Sequence, residues 1–456
     1  MYSKRIAEFV ASLKYEDLPR EVIEKAKDCV RDHLGCVLGS YPFEESKMVA
    51  EWVRDLGDRK ESTVLGWGHR TSCRNAALAN GYFAEVLETQ DGVTYGNNHP
   101  ASVVLPASLA AAEYLKQGGK EFVTAVVAGY EVMNRIAASL PPEKSVGFMK
   151  TGTTGTFAAA VSVGKLLGLD SSQLVHAMGI AGFILPISSR ENMWGTTIKP
   201  FVGGQAAKAG VEAALLAQKG FTGCQEIFMG TAPRYLGFCN LVSREPALEK
   251  LIEGLGERYT ILDVYFKPYA ACRLSHSAIE AALTLVEEND ILPDAVDRIE
   301  VKTFARAARE IGGRYPEANS SFVTCQFSLP YILAVVVSDR TLGPKQYRRE
   351  KISDPRILEL AKKVQVIPDD LMTSIYPEKA QARVKIFLRG GTAFEKQIDH
   401  PKWEPERGIP REERLAKFHA LASEILPKER IEKIDRIVDR LEKLKRISTL
   451  VREAVL

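Results

Sequence analysis

The chain has 456 residues, of which 45% are hydrophobic and 26% are charged, and its net charge is +3. This composition is typical of a soluble globular protein and excludes disordered, fibrous and collagen-like chains. Because so small a charge on so long a chain creates no concentrated positive field, we expect neither nucleic acid nor an anionic membrane as a partner.

The first ten residues combine a short apolar pattern with Lys4, Arg5 and Glu8, and no uncharged apolar run of about 18 residues follows. We therefore expect no signal peptide, no membrane span and a cytoplasmic location. The 7 cysteines form no C-x-x-C pair and the 7 histidines form no H-x-x-x-H motif. The sequence thus predicts reduced cysteines and no metal site.

Residues 4–260 predict a helical domain, because their apolar residues recur at helical spacing, as at Val22, Ala26, Val30 and Leu34. Some of these helices are apolar on nearly all sides, as in residues 157–163. Such helices are typical of positions surrounded by other helices, so a sizeable core is expected.

Between about residues 261 and 400 the pattern changes to short alternations of apolar and polar residues. These predict strands at residues 298–304, 364–367 and 382–388. Two glycines then precede another alternation at residues 393–398, which predicts a hairpin. Helical stretches lie between the strands, so the segment predicts a small α+β domain.

Residues 413–456 return to a helical pattern with one apolar stripe among charged residues. The stripe covers only about three heptads, which favours packing onto the helical domain over a coiled coil. We therefore predict a mainly α fold with an inserted α+β domain. Its helical domain comprises residues 1–262 and 401–456, and the α+β domain comprises residues 263–400. We expect the functional site in a cleft between the two domains.

Two polar segments stand out. Residues 88–100 contain Glu88, Asp91 and His99 between two apolar helical runs, so they could hold acid and base groups in fixed positions or simply form a turn. Residues 147–156 are rich in glycine and threonine and lead into an apolar helix. Their amides and hydroxyls suit an anion, although ordinary helix capping explains them as well.

Basic residues occur at two further places. Lys199 lies in an otherwise uncharged stretch, where a lysine must reach solvent, pair with an acid or hold a ligand carboxylate. Lys267, Arg273 and His276 lie where the helical pattern gives way to the mixed one. Cations beside an imidazole at a domain junction suit a polycarboxylate, whereas each taken alone is equally explained by a structural ion pair.

The order and spacing of several motifs resemble the MmgE/PrpD family over nearly the whole chain. These motifs include Glu88 with Asp91-Gly92 and His99-Pro100, Thr151-Gly152-Thr153, Lys199-Pro200, Lys267-Pro268-Tyr269, and Tyr376-Pro377. The resemblance implies a large helical domain built from both ends of the chain, a smaller α/β lid domain, a homodimer, and an active site between the domains. It also implies proton transfer beside a carboxylate of a small di- or tricarboxylate, with no cofactor and no metal.

The resemblance also implies roles for single residues. His99 is the expected general base, with Asp91 orienting its ring, and Lys199 and Lys267 are the family's two lysines. His276 is the expected second proton carrier. The expected substrate-binding residues are Arg273, Tyr269, Cys272, Glu88, Thr151 and Tyr315.

The chain departs from the family pattern at several positions. Met149 and Cys272 stand where many members carry histidines, and Thr89 and Val93 replace an aspartate and a threonine of decarboxylase-like members. These departures count most against decarboxylation. We therefore predict a lyase of the hydro-lyase type acting on a hydroxylated di- or tricarboxylate. The alternatives are an epimerase or isomerase, a decarboxylase, and a non-catalytic carboxylate-binding protein.

Overall fold

The computed structural model describes residues 1–142, 144–145, 147–232 and 235–456. Helices dominate this part of the chain, and most of its strand residues belong to a sheet of four strands. The predicted fold class, mainly α with a smaller α/β part, is confirmed.

The elements of the first part of the chain are α1 Tyr2–Ser12, α2 Arg20–Gly39, α3 Glu44–Asp55, β1 Ser62–Thr63, β2 Arg70–Thr71, α4 Cys73–Val86, α5 Ala101–Tyr114, α6 Gly119–Ala138, α7 Lys150–Leu166, α8 Ser171–Ile184, α9 Phe201–Gln218, β3 Gly230–Ala232, β4 Tyr235–Leu236 and α10 Phe238–Val242. The elements of the remainder are α11 His276–Glu288, β5 Val296–Thr303, α12 Ala305–Ile311, α13 Phe322–Gln326, α14 Leu329–Asp339, α15 Arg349–Ile352, α16 Pro355–Ala361, β6 Val364–Pro368, α17 Asp370–Ile375, β7 Ala382–Leu388, β8 Ala393–Ile398, α18 Arg411–Ala422, α19 Lys428–Asp439 and α20 Ser448–Glu453.

The core of the helical part is built by α4, α5, α7 and α9, which pack on one another. Their residues are small and apolar, and α7 is buried along nearly its whole length, as its apolar sequence predicted. Gly81 on α4 and Gly204 on α9 allow the closest approach, because a Cβ added to Gly81 would lie 2.6 Å from the Cα of Gly204. This packing fixes the ends of α4 and α9, from which site residues extend.

The four-stranded sheet has the order β6-β5-β7-β8. Strands β5 and β6 are parallel, whereas β5 pairs with β7 and β7 with β8 in antiparallel register. The predicted hairpin is therefore present, with Gly391 in its turn at a positive φ of 86°. Helix α11 packs on β7 and β8.

The C-terminal helices α18 and α19 pack against α2, near the start of the chain. Residues of the predicted apolar stripe, including Ile431, Ile434 and Val438, are buried there. The domain limits at residues 262 and 400 stay a prediction. No helix in the described ranges is both long and apolar enough to cross a bilayer.

Candidate active site

A cavity lies where side chains from the helical part meet side chains from the segment that carries the sheet. Among the residues expected at the site, six line it: Glu88, His99, Thr151, Lys199, Cys272 and Arg273. The cavity walls also include residues that the sequence did not single out, namely Glu85, Arg190, Tyr265, Arg306, Glu310 and Glu404. The remaining expected residues, Asp91, Lys267, Tyr269, His276 and Tyr315, lie outside the described lining.

The polar loop between α4 and α5 is tied to the middle of the chain by main-chain hydrogen bonds. The amide of Tyr265 donates to the carbonyl of Gly92 at 2.9 Å, and the amide of Gly92 donates to the carbonyl of Tyr265 at 3.2 Å. A Cβ on residue 92 would lie 2.4 Å from the Tyr265 hydroxyl oxygen, so this close approach requires glycine. The pairing brings Glu88 beside Lys267, two residues beyond Tyr265.

The His99 ring is oriented by the main chain. Its Nδ1 lies 2.6 Å from the carbonyl oxygen of Asp91, which can only accept, so Nδ1 carries the proton and Nε2 is left as the acceptor. Burial lowers the pKa of His99 to about 4, and the nearby charge of Lys267 acts in the same direction. The ring is therefore neutral at pH 7 and able to accept a proton.

The contact between His99 and Asp91 corrects one expectation. The Asp91 carboxylate does not touch the ring: Oδ1 accepts from the amide of Ala101 at 2.9 Å, and Oδ2 accepts from the Tyr130 hydroxyl at 2.8 Å. Burial raises the pKa of Asp91 to about 7. Asp91 thus anchors the start of α5 with its side chain and orients His99 with its main chain.

The two predicted lysines share a buried glutamate. Lys199 Nζ lies 2.5 Å from Glu88 Oε2 and 2.7 Å from Glu85 Oε2, whereas Lys267 Nζ lies 2.7 Å from Glu88 Oε1. Burial raises the pKa of Glu88, but the two ammonium groups outweigh it and hold that pKa well below its usual range. Burial lowers the pKa of Lys199, and the two glutamates reverse this and raise it above its usual value. Glu88 and Lys199 are therefore both ionised at neutral pH.

Arg273 and His276 form a second charged group. Arg273 donates through Nη2 to Glu404 Oε1 at 2.6 Å and through Nη1 toward His276 Nδ1 at 3.1 Å. The other ring nitrogen of His276 donates to the carbonyl of Ala271 at 3.1 Å. Both ring nitrogens are thus occupied in a fully buried side chain, so His276 supports Arg273 and does not reach the cavity as a second proton carrier.

A third charged group lies on the wall contributed by α12. Glu310 accepts from Arg190 Nη2 at 2.8 Å and from Arg306 Nε at 3.1 Å, and Arg306 Nη1 donates to the Tyr376 hydroxyl at 3.1 Å. The Tyr376 ring stacks on Phe304 with ring centroids 4.2 Å apart. The sequence analysis did not identify Arg190 and Arg306 as site residues, because an arginine close to other charged residues in the sequence does not stand out as a ligand-binding residue.

Both halves of the chain match one family. Residues 4–250 match the MmgE/PrpD N-terminal domain and residues 269–443 match the MmgE/PrpD C-terminal domain. The chain belongs to the MmgE/PrpD family. The predicted family is thereby confirmed, and the two matched segments meet at the cavity.

Curated relatives that the chain matches are enzymes of similar length. Cis-aconitate decarboxylase of Aspergillus terreus is 26% identical over 98% of this chain and 95% of its own length. Cis-aconitate decarboxylase of Mus musculus is 26% identical over 99% of this chain and 92% of its own. The mitochondrial 2-methylcitrate dehydratase of Yarrowia lipolytica is 26% identical over 94% of this chain and 85% of its own.

Three of the residues at which the chain is expected to depart from the MmgE/PrpD pattern lie at the cavity itself. Val93, Met149 and Cys272 all line it. Burial raises the pKa of the Cys272 thiol to about 11, so it remains protonated at neutral pH. A thioether and a neutral thiol leave His99 as the one imidazole in the described cavity wall.

The two expected phenols lie away from the cavity of this MmgE/PrpD member. The Tyr315 hydroxyl donates to the carbonyl of Val364 at 2.9 Å on β6, and the side chain is 48% exposed. Tyr269 packs on the His276 ring. Tyr265 and Tyr376 line the cavity instead. Over the described residues, no three or more His, Cys, Asp and Glu side chains are grouped as metal ligands would be.

Proposed function

We propose that the protein is a cofactor-independent hydro-lyase that removes water from a small hydroxylated di- or tricarboxylate. The observation that carries the proposal is the His99 ring, neutral and fixed through Nδ1, in a cavity that also presents the Lys199 ammonium. The named activities of the relatives, decarboxylation and dehydration of small polycarboxylates, support the same class of substrate.

The difficult step is removal of a proton from carbon beside a carboxylate, because the carboxylate then gains further negative charge. His99 Nε2 accepts this proton, which gives a factor of roughly 10²–10⁴ for a positioned base. Lys199 has three N–H donors, of which Glu85 and Glu88 take two. The third donor can stabilise the developing charge, an interaction typically worth about 3–4 kcal/mol of barrier.

Loss of the hydroxyl requires a proton donor, and Tyr376 fits this role. Burial raises the pKa of Tyr376 above its usual value, and the Arg306 guanidinium acts against that rise. The phenol is therefore protonated at neutral pH, and Arg306 would stabilise the phenolate left after donation. The electron pair of the broken C–H bond forms the C=C bond, the C–O bond breaks, and the departing hydroxyl leaves as water with the proton of Tyr376.

Decarboxylation is the second candidate. It is supported by the apolar side of the cavity, where Phe148, Met149, Val202, Leu274 and Phe327 lie. An apolar wall disfavours a carboxylate in the ground state and so favours its loss as carbon dioxide. The cis-aconitate decarboxylase relatives support the same reading.

The two candidates are separated by product analysis. Citrate, 2-methylcitrate, malate and cis-aconitate are incubated with the protein in D₂O with EDTA and followed by proton NMR. We expect an unsaturated product without carbon dioxide release, seen as alkene protons from citrate or malate and as a shifted methyl signal from 2-methylcitrate. His99→Ala should abolish turnover while the melting temperature changes by only a few degrees. Lys199→Ala should also abolish turnover, but it should lower the melting temperature further, because buried Glu85 loses its partner. Carbon dioxide release would assign the decarboxylase, proton exchange without an alkene would assign an epimerase, and binding without conversion would assign a non-catalytic role.

A further inference from the structure

The cavity contains three ion-paired groups that differ in net charge. Lys199 and Lys267 are balanced by Glu85 and Glu88, so this group is neutral. Arg273 is balanced in the same way by Glu404. The third group has Arg190 and Arg306 against Glu310 and carries one excess positive charge.

The arginine group is also enclosed by protein. The Arg306 and Glu310 side chains are only 13% and 10% exposed, and Arg190 is 28% exposed. Coulomb interactions are stronger in such surroundings than at a free surface, because less water screens them. An anion that enters the cavity therefore gains most from this group.

The arginines keep hydrogen-bond donors for a ligand. Arg190 uses one guanidinium nitrogen, Nη2, for Glu310, and Arg306 uses Nε and Nη1 for Glu310 and Tyr376. The other nitrogens of these two guanidinium groups have no side-chain hydrogen-bond partner among the described residues. Each guanidinium group is a planar fork of donors that suits a carboxylate ligand, and Glu310 contacts both of them.

We propose that Arg190 and Arg306 form a carboxylate subsite, held in place by Glu310, that binds a second carboxylate of the substrate while the first lies at Lys199. The inference rests on the proposed function, because it places the reacting carbon between the two carboxylates. It adds where the two carboxylates bind: one at Lys199 and the other at Arg190 and Arg306.

Arg190 also connects the two parts of the chain. It lies in the segment before α9, whereas Glu310 and Arg306 lie on α12, so its ion pair spans 120 residues of sequence. Arg314, just after α12, lies over the Trp194 ring at 3.9 Å and adds a second contact between the same segments. A carboxylate bound by both arginines would reinforce this connection.

Arg190→Gln tests the subsite, because Arg190 does not contact the proposed proton donor. Dissociation constants are measured by NMR titration for citrate and cis-aconitate, and for 2-hydroxyisobutyrate, which has one carboxylate. We expect the variant to weaken binding of the tricarboxylates by roughly 10- to 100-fold and to change the monocarboxylate by less than about threefold. Arg190→Lys keeps the charge but not the planar fork of donors. Its dissociation constants for the tricarboxylates should lie between those of Arg190→Gln and those of the wild type.

Arg309→Gln is the matched control, because Arg309 lies 3.8 Å from Glu310 yet is 71% exposed and does not line the cavity. Its binding constants should equal those of the wild type. Equal weakening of all three ligands by Arg190→Gln, or wild-type binding of the tricarboxylates, would overturn the subsite, as would failure of both tricarboxylates to bind the wild type. Arginine-dependent binding without turnover of any polycarboxylate would keep the subsite and reject the hydro-lyase. Dehydration of a polycarboxylate by the wild type, with unchanged binding in Arg190→Gln, would keep the hydro-lyase and reject the subsite.

Discussion

The ammonium nitrogen of Lys267 lies 2.7 Å from Oε1 of Glu88, and the Lys267 side chain has no solvent exposure. A buried charge is tolerated only with a partner. Glu88 therefore stabilises the fold as well as lining the cavity. We expect Glu88→Gln to lower the free energy of unfolding by about 3–5 kcal/mol, because the buried Lys267 ammonium loses its counter-charge and Lys199 keeps only Glu85. Urea unfolding measures this.

The double variant Glu88→Gln with Lys267→Met provides the control for that charge argument. It removes the one ammonium group that Glu88→Gln leaves in excess, because Lys199 keeps Glu85 as its partner, so it should recover part of the lost free energy of unfolding. A double variant that is less stable than Glu88→Gln would contradict the assignment of the loss to unpaired charge.

The pH dependence of turnover tests the state of His99. A general base works only when neutral, and its pKa of about 4 keeps the ring neutral down to that pH. We therefore expect kcat/KM to decline on the acid side only below about pH 5 in the free enzyme. An acid limb near the ordinary histidine pKa of about 6.5 would show that the ring is not enclosed as described.

Gly92 offers a steric test of the same site. A Cβ on residue 92 would lie 2.4 Å from the Tyr265 hydroxyl and 2.9 Å from His99 Nδ1. Gly92→Ala should therefore displace the imidazole and reduce kcat at least about tenfold, because small misplacements of a reacting group are costly. Gly147→Ala is the control and should retain wild-type kcat, because no atom of the described residues lies within 4 Å of the added Cβ.

Asp91 predicts an unusual dependence of stability on pH. Its pKa of about 7 in the folded protein exceeds the ordinary value of 3.8, so the folded state holds the proton more tightly than the unfolded state. The resulting stabilisation is complete below about pH 4 and is lost as pH rises through 7. Asp91→Asn removes this dependence, so its urea midpoint relative to wild type should rise between pH 5 and pH 8. A constant difference would place the carboxyl pKa near its usual value.

Tyr376 tests the proposed proton donor. Tyr376→Phe keeps the stacking on Phe304 but removes the hydroxyl, and we expect kcat for dehydration to fall by roughly 10²–10⁴. Tyr315→Phe removes a hydroxyl that bonds to Val364 outside the cavity, so its kcat should remain within about twofold of wild type. Equal effects of the two variants would reject Tyr376 as the donor.

Local patterns predicted the elements well. Helical spacing identified the buried helices such as α7, and alternation identified the strands β5 and β7 and the hairpin of β7 and β8. These elements follow from side-chain periodicity, which is a property of neighbouring residues. Lys199 was likewise recognisable as a lysine that needed a partner or a ligand, because its surroundings are uncharged.

The sequence by itself determined the family, the fold class and the polar loop that ends in His99. The tertiary structure alone decided which charges meet: Lys267 pairs with Glu88 across 179 residues, and the Asp91 carbonyl rather than its carboxylate holds the His99 ring. The tertiary structure also places Arg190 beside Glu310, and it places Tyr315 outside the cavity, on Val364. The physical reason is that a buried charge or ring nitrogen must find a partner, whereas the identity of that partner depends on which distant segments the packed helices bring together.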